Sequence, residues 1–272
     1  MEPRCALTIA GSDSGGGAGI QADLRTFSAF GIHATTAVTA VTAQNTRTVS
    51  AIVPLAPADV VAQVDAVLED FSIAAVKTGM LAEPAVVLAV AHLAEQGRLP
   101  HLVVDPVLVS STGSLLLADG GIEAYRDALI PHAELLTPNL PEAAALVGVD
   151  VRDLDDIASM AAVAQALVRL GAGAVLVKGG HVTAGGSSAH SPDVLVLGDE
   201  VIVLEAERVD TVNDHGTGCS LSAAIAAGLA LGRSLPDAVR DAKAFVLAAL
   251  RGAAPWQLGH GHGPIDHFGW GP

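Results

Sequence analysis

The feature that most constrains the fold is a regular alternation of helical and strand-like segments in the first half of the chain. Ala58–Phe71 and Glu83–Gln96 have helical patterns, and each precedes an apolar strand, Ile73–Gly79 and His101–Val107. Such an alternation predicts right-handed βαβ crossovers and a mainly parallel sheet. Because only 16% of the 272 residues are charged, the helices must expose little surface, as in an α/β fold with both sheet faces covered. No break in composition indicates a linker, so we expect one domain, residues 1–272.

The remaining segments extend this pattern. Strands are predicted at Ala6–Gly11, His33–Gln44, Val49–Val53 and Ala174–Gly180, and Leu135–Glu142 is predicted as a strand that runs into a helix at Pro141. A hairpin of Asp193–Leu197 and Val201–Arg208 is predicted to turn at Gly198-Asp199. Helices are predicted at Ile20–Phe30, near Gly121–Leu129, from Pro141, at Leu154–Leu170 and at Leu235–Arg251. The polar segment Thr183–Pro192 is predicted to be mobile.

Charge and composition exclude several classes of function. The formal net charge is −15 and the lysines are few, which argues against a nucleic-acid-binding protein. No apolar run reaches the ~18 residues of a membrane span, and the first residues lack the features of a secretory signal. We therefore expect a cytoplasmic protein that acts on small molecules. Cys5 and Cys219 differ in setting, so no disulfide is predicted.

The segment Thr211–Ile225 is the best candidate for a functional site. Gly216, Thr217 and Gly218 form a turn of small residues, and a helix with recurring apolar side chains follows. The free N–H groups and positive dipole end of such a helix suit an anion such as a transferring phosphate. Cys219 lies in the first turn, where we expect its thiol to ionise readily. The alternative is an ordinary buried helix with a core cysteine.

Polar or flexible residues also follow four predicted strands. Gly11, Gln44, Gly79-Met80 and Asp105 all stand at carboxyl ends, the edge at which parallel sheets bind ligands. Asp105 is a carboxylate at the end of an apolar strand. Burying it is costly unless it binds a metal, a proton donor or N–H groups. The Gln44 amide offers a donor and an acceptor to a heterocycle, or is a solvated turn residue.

Four further features concern ligand binding, and two of them allow two interpretations. Asn139 and Glu142 begin a helix, either as a capping box or with Glu142 on a water-bridged magnesium ion. Lys178 and two glycines end a strand in a way that suits phosphate. The histidines of Gly259–His267 form either a metal site or, the favoured interpretation, a surface tail. The glycine-rich Ser12–Gly19 lacks the lysine of a Walker A loop and the later acid of a dinucleotide fingerprint.

Several motifs together resemble one family of enzymes. They are Ala10–Leu24, Thr39–Asn45, Lys77–Leu81, Val104–Val107, Leu136–Ala143, Val177–His181 and His215–Cys219. The chain resembles the hydroxymethylpyrimidine/phosphomethylpyrimidine kinases of thiamine biosynthesis, within the ribokinase-like superfamily. The resemblance implies a three-layer α/β/α sandwich, usually dimeric. It also implies two ATP-dependent steps with Mg²⁺, first phosphorylation of the hydroxymethyl group and then of the monophosphate.

The resemblance also implies roles for individual residues. The pyrimidine pocket is expected to contain Gly11, Asp23, Gln44, Met80 and Val107. Asp105, Asn139 and Lys178 are expected on the nucleotide and phosphate side, with Glu142 serving magnesium. Gly216, Thr217, Gly218 and Cys219 are expected to form the anion hole with its general base.

Two positions depart from the family pattern, and two other functions remain open. Asp214 stands where relatives commonly have threonine, and Ser111 where many have lysine, so each removes expected positive character. A pyridoxal or pyridoxine kinase has the same socket and is the nearest alternative enzyme. A small-molecule-binding regulator without turnover is the alternative of another class.

Overall fold

The predicted alternation produces one continuous sheet with helices on both faces. The structure, a computed structural model, describes residues 3–108, 116–180 and 190–270. The strands are β1 (Cys5–Asp13), β2 (His33–Gln44), β3 (Val49–Pro54), β4 (Ile73–Thr78), β5 (Leu102–Val104), β6 (Leu135–Leu136), β7 (Ala174–Lys178), β8 (His190–Leu197) and β9 (Glu200–Glu207). The α-helices are α1 (Gly19–Ala29), α2 (Pro57–Asp70), α3 (Pro84–Glu95), α4 (Gly121–Ala124), α5 (Leu140–Val147), α6 (Ile157–Arg169), α7 (Thr217–Ala230) and α8 (Leu235–Ala253).

The strand order explains why one edge of the sheet collects the site. The nine strands run in the order β3-β2-β1-β4-β5-β6-β7-β8-β9. The six central strands from β2 to β7 pair in parallel, while β3, β8 and β9 are antiparallel. The carboxyl ends of β1, β2, β4, β5 and β7 therefore meet at one edge. The fold class predicted from the sequence is confirmed.

Two apolar cores, one on each face, hold the three layers together. On one face, Phe27 of α1 and buried residues of α7 and α8 pack against Ala75 and Val103 of the sheet. On the other face, α2, α3, α5 and α6 pack against neighbours such as Val76 and Val104. Because successive strand residues point to opposite faces, apolar runs with no alternation supply both cores at once.

Helix α7 is buried on nearly every side, which fits its small and apolar side chains. Leu221, Ile225 and Leu229 are all buried, as their spacing predicts. The helix contacts α1, α8, β1, β4 and β5. Its first turn is thereby held in place at the edge of the sheet.

Several predicted boundaries differ from the structure. The helix predicted from Leu154 begins at Ile157, because the Asp156 side chain accepts a hydrogen bond from the Ser159 N–H and caps it there. The strand predicted over His101–Val107 is only β5. The hairpin at Gly198-Asp199 is confirmed.

Two predictions concern segments that the structure covers only in part or not at all. Of the segment Thr183–Pro192, residues 183–189 lie outside the described part of the chain, and the last three residues belong to β8 rather than to a mobile loop. Ser111 also lies outside the described residues.

Both described cysteines are free, as predicted. Within the described ranges, no helix has the length and apolar character to cross a bilayer.

Candidate active site

The start of α7 is built from backbone rather than from side chains. Gly216 precedes the helix with φ of 84°, a left-handed conformation that favours glycine. A Cβ atom there would lie 1.9 Å from the carbonyl oxygen of Gly17, so a side chain cannot fit. The Thr217 N–H donates to the carbonyl of Asp214 at 3.2 Å. The N–H groups of Gly218 and Cys219 belong to the first turn, which has no preceding helical turn to accept from them. A helix start of this kind is a common position for a bound anion.

The Cys219 thiol is less acidic than its position suggests. Burial raises its pKa to about 11, although the positive charge of Lys77 and a hydrogen bond from the Gly19 backbone act in the opposite direction. The prediction that this thiol ionises readily is therefore wrong. The cost of desolvating the thiolate outweighs the stabilising effect of the helix start here. At neutral pH Cys219 is a thiol.

A buried ion pair lies close to Cys219. The Lys77 ammonium contacts both carboxylate oxygens of Asp23 at 2.9 Å, and the Thr8 hydroxyl donates to the same carboxylate at 2.6 Å. Both charged side chains have no exposed surface. Burial alone would lower the pKa of Lys77, but the charge of Asp23 raises it above its usual range. The expectation that Asp23 touches a pyrimidine stays a prediction, and these contacts favour a supporting role.

Three residues expected in the pyrimidine pocket do lie together. A Cβ atom on Gly11 would lie 2.6 Å from the terminal methyl of Met80, so the glycine admits that side chain. The Thr39 hydroxyl donates to the Met80 carbonyl at 2.6 Å. Val107 packs against the same small cluster as Met80. The ends of β1, β4 and β5 thus form one apolar wall.

Gln44 lies next to two residues that the sequence analysis did not select. Its amide nitrogen is 3.0 Å from Nε2 of His215, and that Nε2 is 3.2 Å from Oδ2 of Asp13. Asp13 also accepts from the N–H groups of Gly15, Gly17 and Ala18.

Burial alone would raise the pKa of Asp13, but the hydrogen bond with His215 and the backbone N–H groups lower it below its usual value. A sequence signal existed for both residues, since Asp13 opens the glycine-rich loop and His215 immediately precedes Gly216.

The opposite side of the site is a cluster of charges. Lys178 lies 2.8 Å from Oδ1 of Asp105 and 4.0 Å from Oε2 of Glu142. The Thr137 hydroxyl donates to Asp105 as well, so the proton donors expected around this carboxylate are confirmed. A Cβ atom on Gly218 would lie 3.2 Å from the Lys178 ammonium, which places that charge against the first turn of α7.

Glu142 caps helix α5 and has a carboxyl group with a raised pKa. It completes a capping box with Asn139, with hydrogen bonds of 2.8 and 2.9 Å, so the structural interpretation is confirmed. Burial raises the pKa of Glu142 to about 7, against the opposing charge of Lys178. In the described part of the chain, no group of three or more His, Cys, Asp or Glu side chains has the arrangement of a metal site. A metal ion here would need ligands from a bound substrate.

The segment Gly259–His267 is not a surface tail. Ile265, Asp266 and His267 are buried, and Nε2 of His267 lies 2.8 Å from the Ser220 hydroxyl on α7. Apolar packing of Ile265 and these hydrogen bonds outweigh the flexibility that the glycines suggest. The same segment also contacts the unusual Asp214, whose Oδ1 is 2.8 Å from Nδ1 of His262.

Comparisons with known proteins identify the family. Residues 13–266 match the family model described as phosphomethylpyrimidine kinase. A hydroxymethylpyrimidine/phosphomethylpyrimidine kinase of Rhizobium meliloti (strain 1021) is 48% identical over 264 residues, covering 97% of this chain and 96% of the relative.

Solved structures agree with this assignment. An ADP complex of Bacillus subtilis pyridoxal kinase has a TM-score of 0.87 at 34% identity and covers 98% of both chains. The phosphomethylpyrimidine kinase of Clostridium difficile 630 has a TM-score of 0.78 at 38% identity, covering 90% of this chain and 99% of that one. With the glycine-rich helix start and the strand-end residues at one edge of the sheet, the chain belongs to the phosphomethylpyrimidine kinase family, and it is a kinase with the ribokinase-like fold.

Proposed function

We propose that this chain phosphorylates 4-amino-5-hydroxymethyl-2-methylpyrimidine to its monophosphate and then to its diphosphate, with ATP, in thiamine biosynthesis. The observation that carries the proposal is the position of Lys178. Its ammonium lies against Gly218 in the first turn of α7 and also pairs with Asp105, which joins a backbone anion socket to a fixed positive charge. Phosphoryl transfer asks a protein mainly for such positioning and charge neutralisation.

In this proposal the first turn of α7 holds the transferring phosphoryl group. The N–H groups of Gly218 and Cys219, with the Lys178 ammonium, balance the charge on its oxygens. The substrate oxygen forms a bond to phosphorus while the bond to the ADP oxygen breaks. Cys219 takes the hydroxyl proton in the first step, and it does so only in its ionised fraction, which is small at neutral pH because the thiol pKa is about 11. The second acceptor is a phosphate that is already largely ionised, so this step needs no such base.

The oxygen-rich side of the site suits magnesium bound together with ATP. Glu142 and Asp105 offer carboxylate oxygens, which Mg²⁺ prefers, and Mg²⁺ commonly takes one or two carboxylates plus substrate phosphates. When bound, Mg²⁺ neutralises charge on the phosphates. In the proposal Glu142 serves the metal through water, and Asn139 keeps that carboxylate in place through the capping box.

The pyrimidine is proposed to bind at the ends of β1, β2 and β4. Gly11, Met80 and Val107 provide the apolar wall, and the Gln44 amide recognises the polar edge of the ring. Asp23 holds Lys77 beneath this wall. Because Gly11 has no side chain, the Met80 methyl group can pack directly against the end of β1.

A coupled assay of ADP release tests the proposal. The enzyme is offered Mg²⁺-ATP with the hydroxymethylpyrimidine, its monophosphate, pyridoxal, pyridoxine and ribose in parallel, and the products are identified by mass spectrometry. We expect both pyrimidines to be phosphorylated with the highest kcat/KM. Pyridoxal favoured over the pyrimidine alcohol would support the alternative enzyme, in line with the structural likeness to a pyridoxal kinase. Ligand binding without turnover would support the regulator.

The assembly is proposed from the family resemblance, and the location is proposed from the lack of secretory and membrane-spanning features in the sequence. We expect a cytoplasmic homodimer, and size-exclusion chromatography with light scattering measures its mass. A mass near that of the 27.3 kDa chain would contradict the dimer. Cell fractionation would test the location.

A further inference from the structure

We propose that Asp13 and His215 fix the orientation of the Gln44 amide, and so determine in which order the pocket offers a donor and an acceptor to the heterocycle. This inference rests on the proposed function for its substrate. Its physical basis is a chain of hydrogen bonds between side chains, in which only one assignment of donors and acceptors satisfies every contact. The residues of the chain lie on three separate segments, the β1 end, the β2 end and the approach to α7.

The first end of the chain is set by Asp13. Its carboxylate accepts three backbone N–H groups, which stabilise the ionised form, and an ionised carboxylate only accepts hydrogen bonds. Nε2 of His215 lies 3.2 Å from Oδ2 of Asp13. A nitrogen lone pair facing that oxygen would be repelled, so Nε2 must carry a hydrogen and donate it.

The Asp13–His215 contact then determines which amide atom of Gln44 faces His215. The structure places the amide nitrogen of Gln44 3.0 Å from the same Nε2 and the amide oxygen toward Thr42, and the positions of the hydrogens require the reverse. A protonated Nε2 has no lone pair to accept with, so the amide atom that faces it must be the oxygen. The amide group rotates by 180° about its last bond without any other movement, and its partners decide which atom faces which neighbour. His215 thus turns the carbonyl oxygen of Gln44 toward itself.

The other end of the chain gives the same answer independently. The Thr42 hydroxyl has one hydrogen, and its oxygen is 3.0 Å from the Ser12 carbonyl oxygen and 3.3 Å from the second amide position of Gln44. The Ser12 carbonyl can only accept, so the hydroxyl hydrogen goes there. Thr42 then offers Gln44 a lone pair, which requires the NH₂ group at that position.

Both ends therefore select one orientation of the amide, with oxygen toward His215 and nitrogen toward Thr42. One amide hydrogen and one oxygen lone pair of Gln44 remain for a ligand. A ring whose acceptor nitrogen and donor amino group stand side by side matches this fixed pair in one orientation only. Asp13 and His215 act through Gln44, so they are positioning residues.

A spectroscopic test does not depend on catalysis. In the ligand-free protein labelled with ¹⁵N-histidine, the His215 signal is assigned by its absence in His215→Gln. We expect Nε2 to show a directly bonded hydrogen and the chemical shift of a protonated ring nitrogen. An unprotonated Nε2 would overturn the inference, whatever substrate the enzyme uses.

A kinetic cycle tests the route through Gln44. His215→Leu removes the donor, and His215→Gln places an amide nitrogen near the position of Nε2. We expect about a tenfold loss in kcat/KM for the pyrimidine alcohol in His215→Leu, mainly through KM, with partial recovery in His215→Gln. In a Gln44→Ala background, His215→Leu should cost little more.

Additive losses in that cycle would overturn the inference, provided that thermal unfolding shows each variant folded. If the wild-type enzyme leaves the pyrimidine alcohol unphosphorylated, the proposed function fails, while the nitrogen signal still decides the orientation of the amide. The two failures are therefore distinguishable.

Discussion

The two sides of the site consist of different kinds of chemical group. The start of α7 is made from backbone, with Gly216 and Gly218 in close contact with neighbouring groups. The opposite side is made from charged side chains, with Lys178 between Asp105 and Glu142. The first side should therefore respond to added volume, and the second to pH and charge. The following changes test that difference, from the largest expected effect to the smallest.

Gly216→Ala should have the largest effect. The added methyl would lie 1.9 Å from the Gly17 carbonyl oxygen, so the loop or the helix start must move. Misplacement by about 1 Å can cost 10²-fold and loss of an anion-hole donor about as much, so we expect a loss of about 10⁴-fold in kcat/KM for both phosphorylations. Gly232→Ala is the matched control, because Gly232 has φ of 80° but open space around its Cβ position. Equal losses in both variants would show that backbone strain alone is responsible.

Cys219→Ala should separate the two phosphorylations. A general base typically contributes at least about 10²-fold, so we expect about that loss for the alcohol and less than about threefold for the monophosphate. Because the thiol pKa is about 11, the thiolate fraction grows with pH, and the wild-type rate for the alcohol should rise between pH 7 and 9. The variant should show no such rise. Equal losses in both steps would contradict the base role.

The difference between the backbone side and the charged side also explains which features of the site could be predicted from the sequence. The alternation of segments was sufficient for the sheet, and Gly216–Cys219 was recognisable because a helix start depends on local spacing. The Asp105–Lys178 contact joins residues 73 positions apart, and only the strand order brings them together. The acidity of Cys219 could not be predicted locally, because it depends on how deeply the whole fold buries α7.

The segment Gly259–His267 illustrates the same limit. Its glycines and histidines are typical of an exposed tail, yet His267 packs against Ser220, which lies 47 positions earlier. Composition indicates how flexible a segment is, but it does not indicate which part of the folded protein the segment packs against. The roles of Asp13 and His215 were missed for a similar reason, since each depends on the other across 202 positions.

Glu142→Gln should show the titration of the charged side. The pKa of Glu142 is raised to about 7 by burial, so its carboxyl gains charge between pH 6 and 8. Metal binding needs the ionised form, and we expect the apparent Mg²⁺ affinity with ATP to rise about tenfold over this range. Glutamine keeps the capping box but carries no charge, so the variant should bind Mg²⁺ about tenfold more weakly at pH 8 and lose this part of the pH dependence. Exposed Glu200→Gln is the control, and an unchanged pH dependence in Glu142→Gln would assign it to ATP itself.

His267→Gln should have the smallest effect, and it tests the support behind the backbone side. Burial lowers the pKa of His267 to about 4, while an unfolded histidine has 6.5, so the unfolded chain binds more protons between these values. Stability must then fall as the pH falls from about 6.5 toward 4, and we expect His267 to account for about 1 kcal/mol of the free energy of unfolding between pH 7.5 and 6. Glutamine can still bond the Ser220 hydroxyl but does not titrate, so denaturant unfolding of the variant should show a flatter pH dependence than the wild type.

Exposed His260→Gln should leave the wild-type slope unchanged. Since the hydrogen bond of His267 goes to Ser220, outside residues 216–219 of the proposed socket, its replacement should leave both phosphorylations near wild-type rates at pH 7.5. A large loss there would mean that the helix start depends on this distant contact, and the two sides would then differ less than their chemical groups suggest.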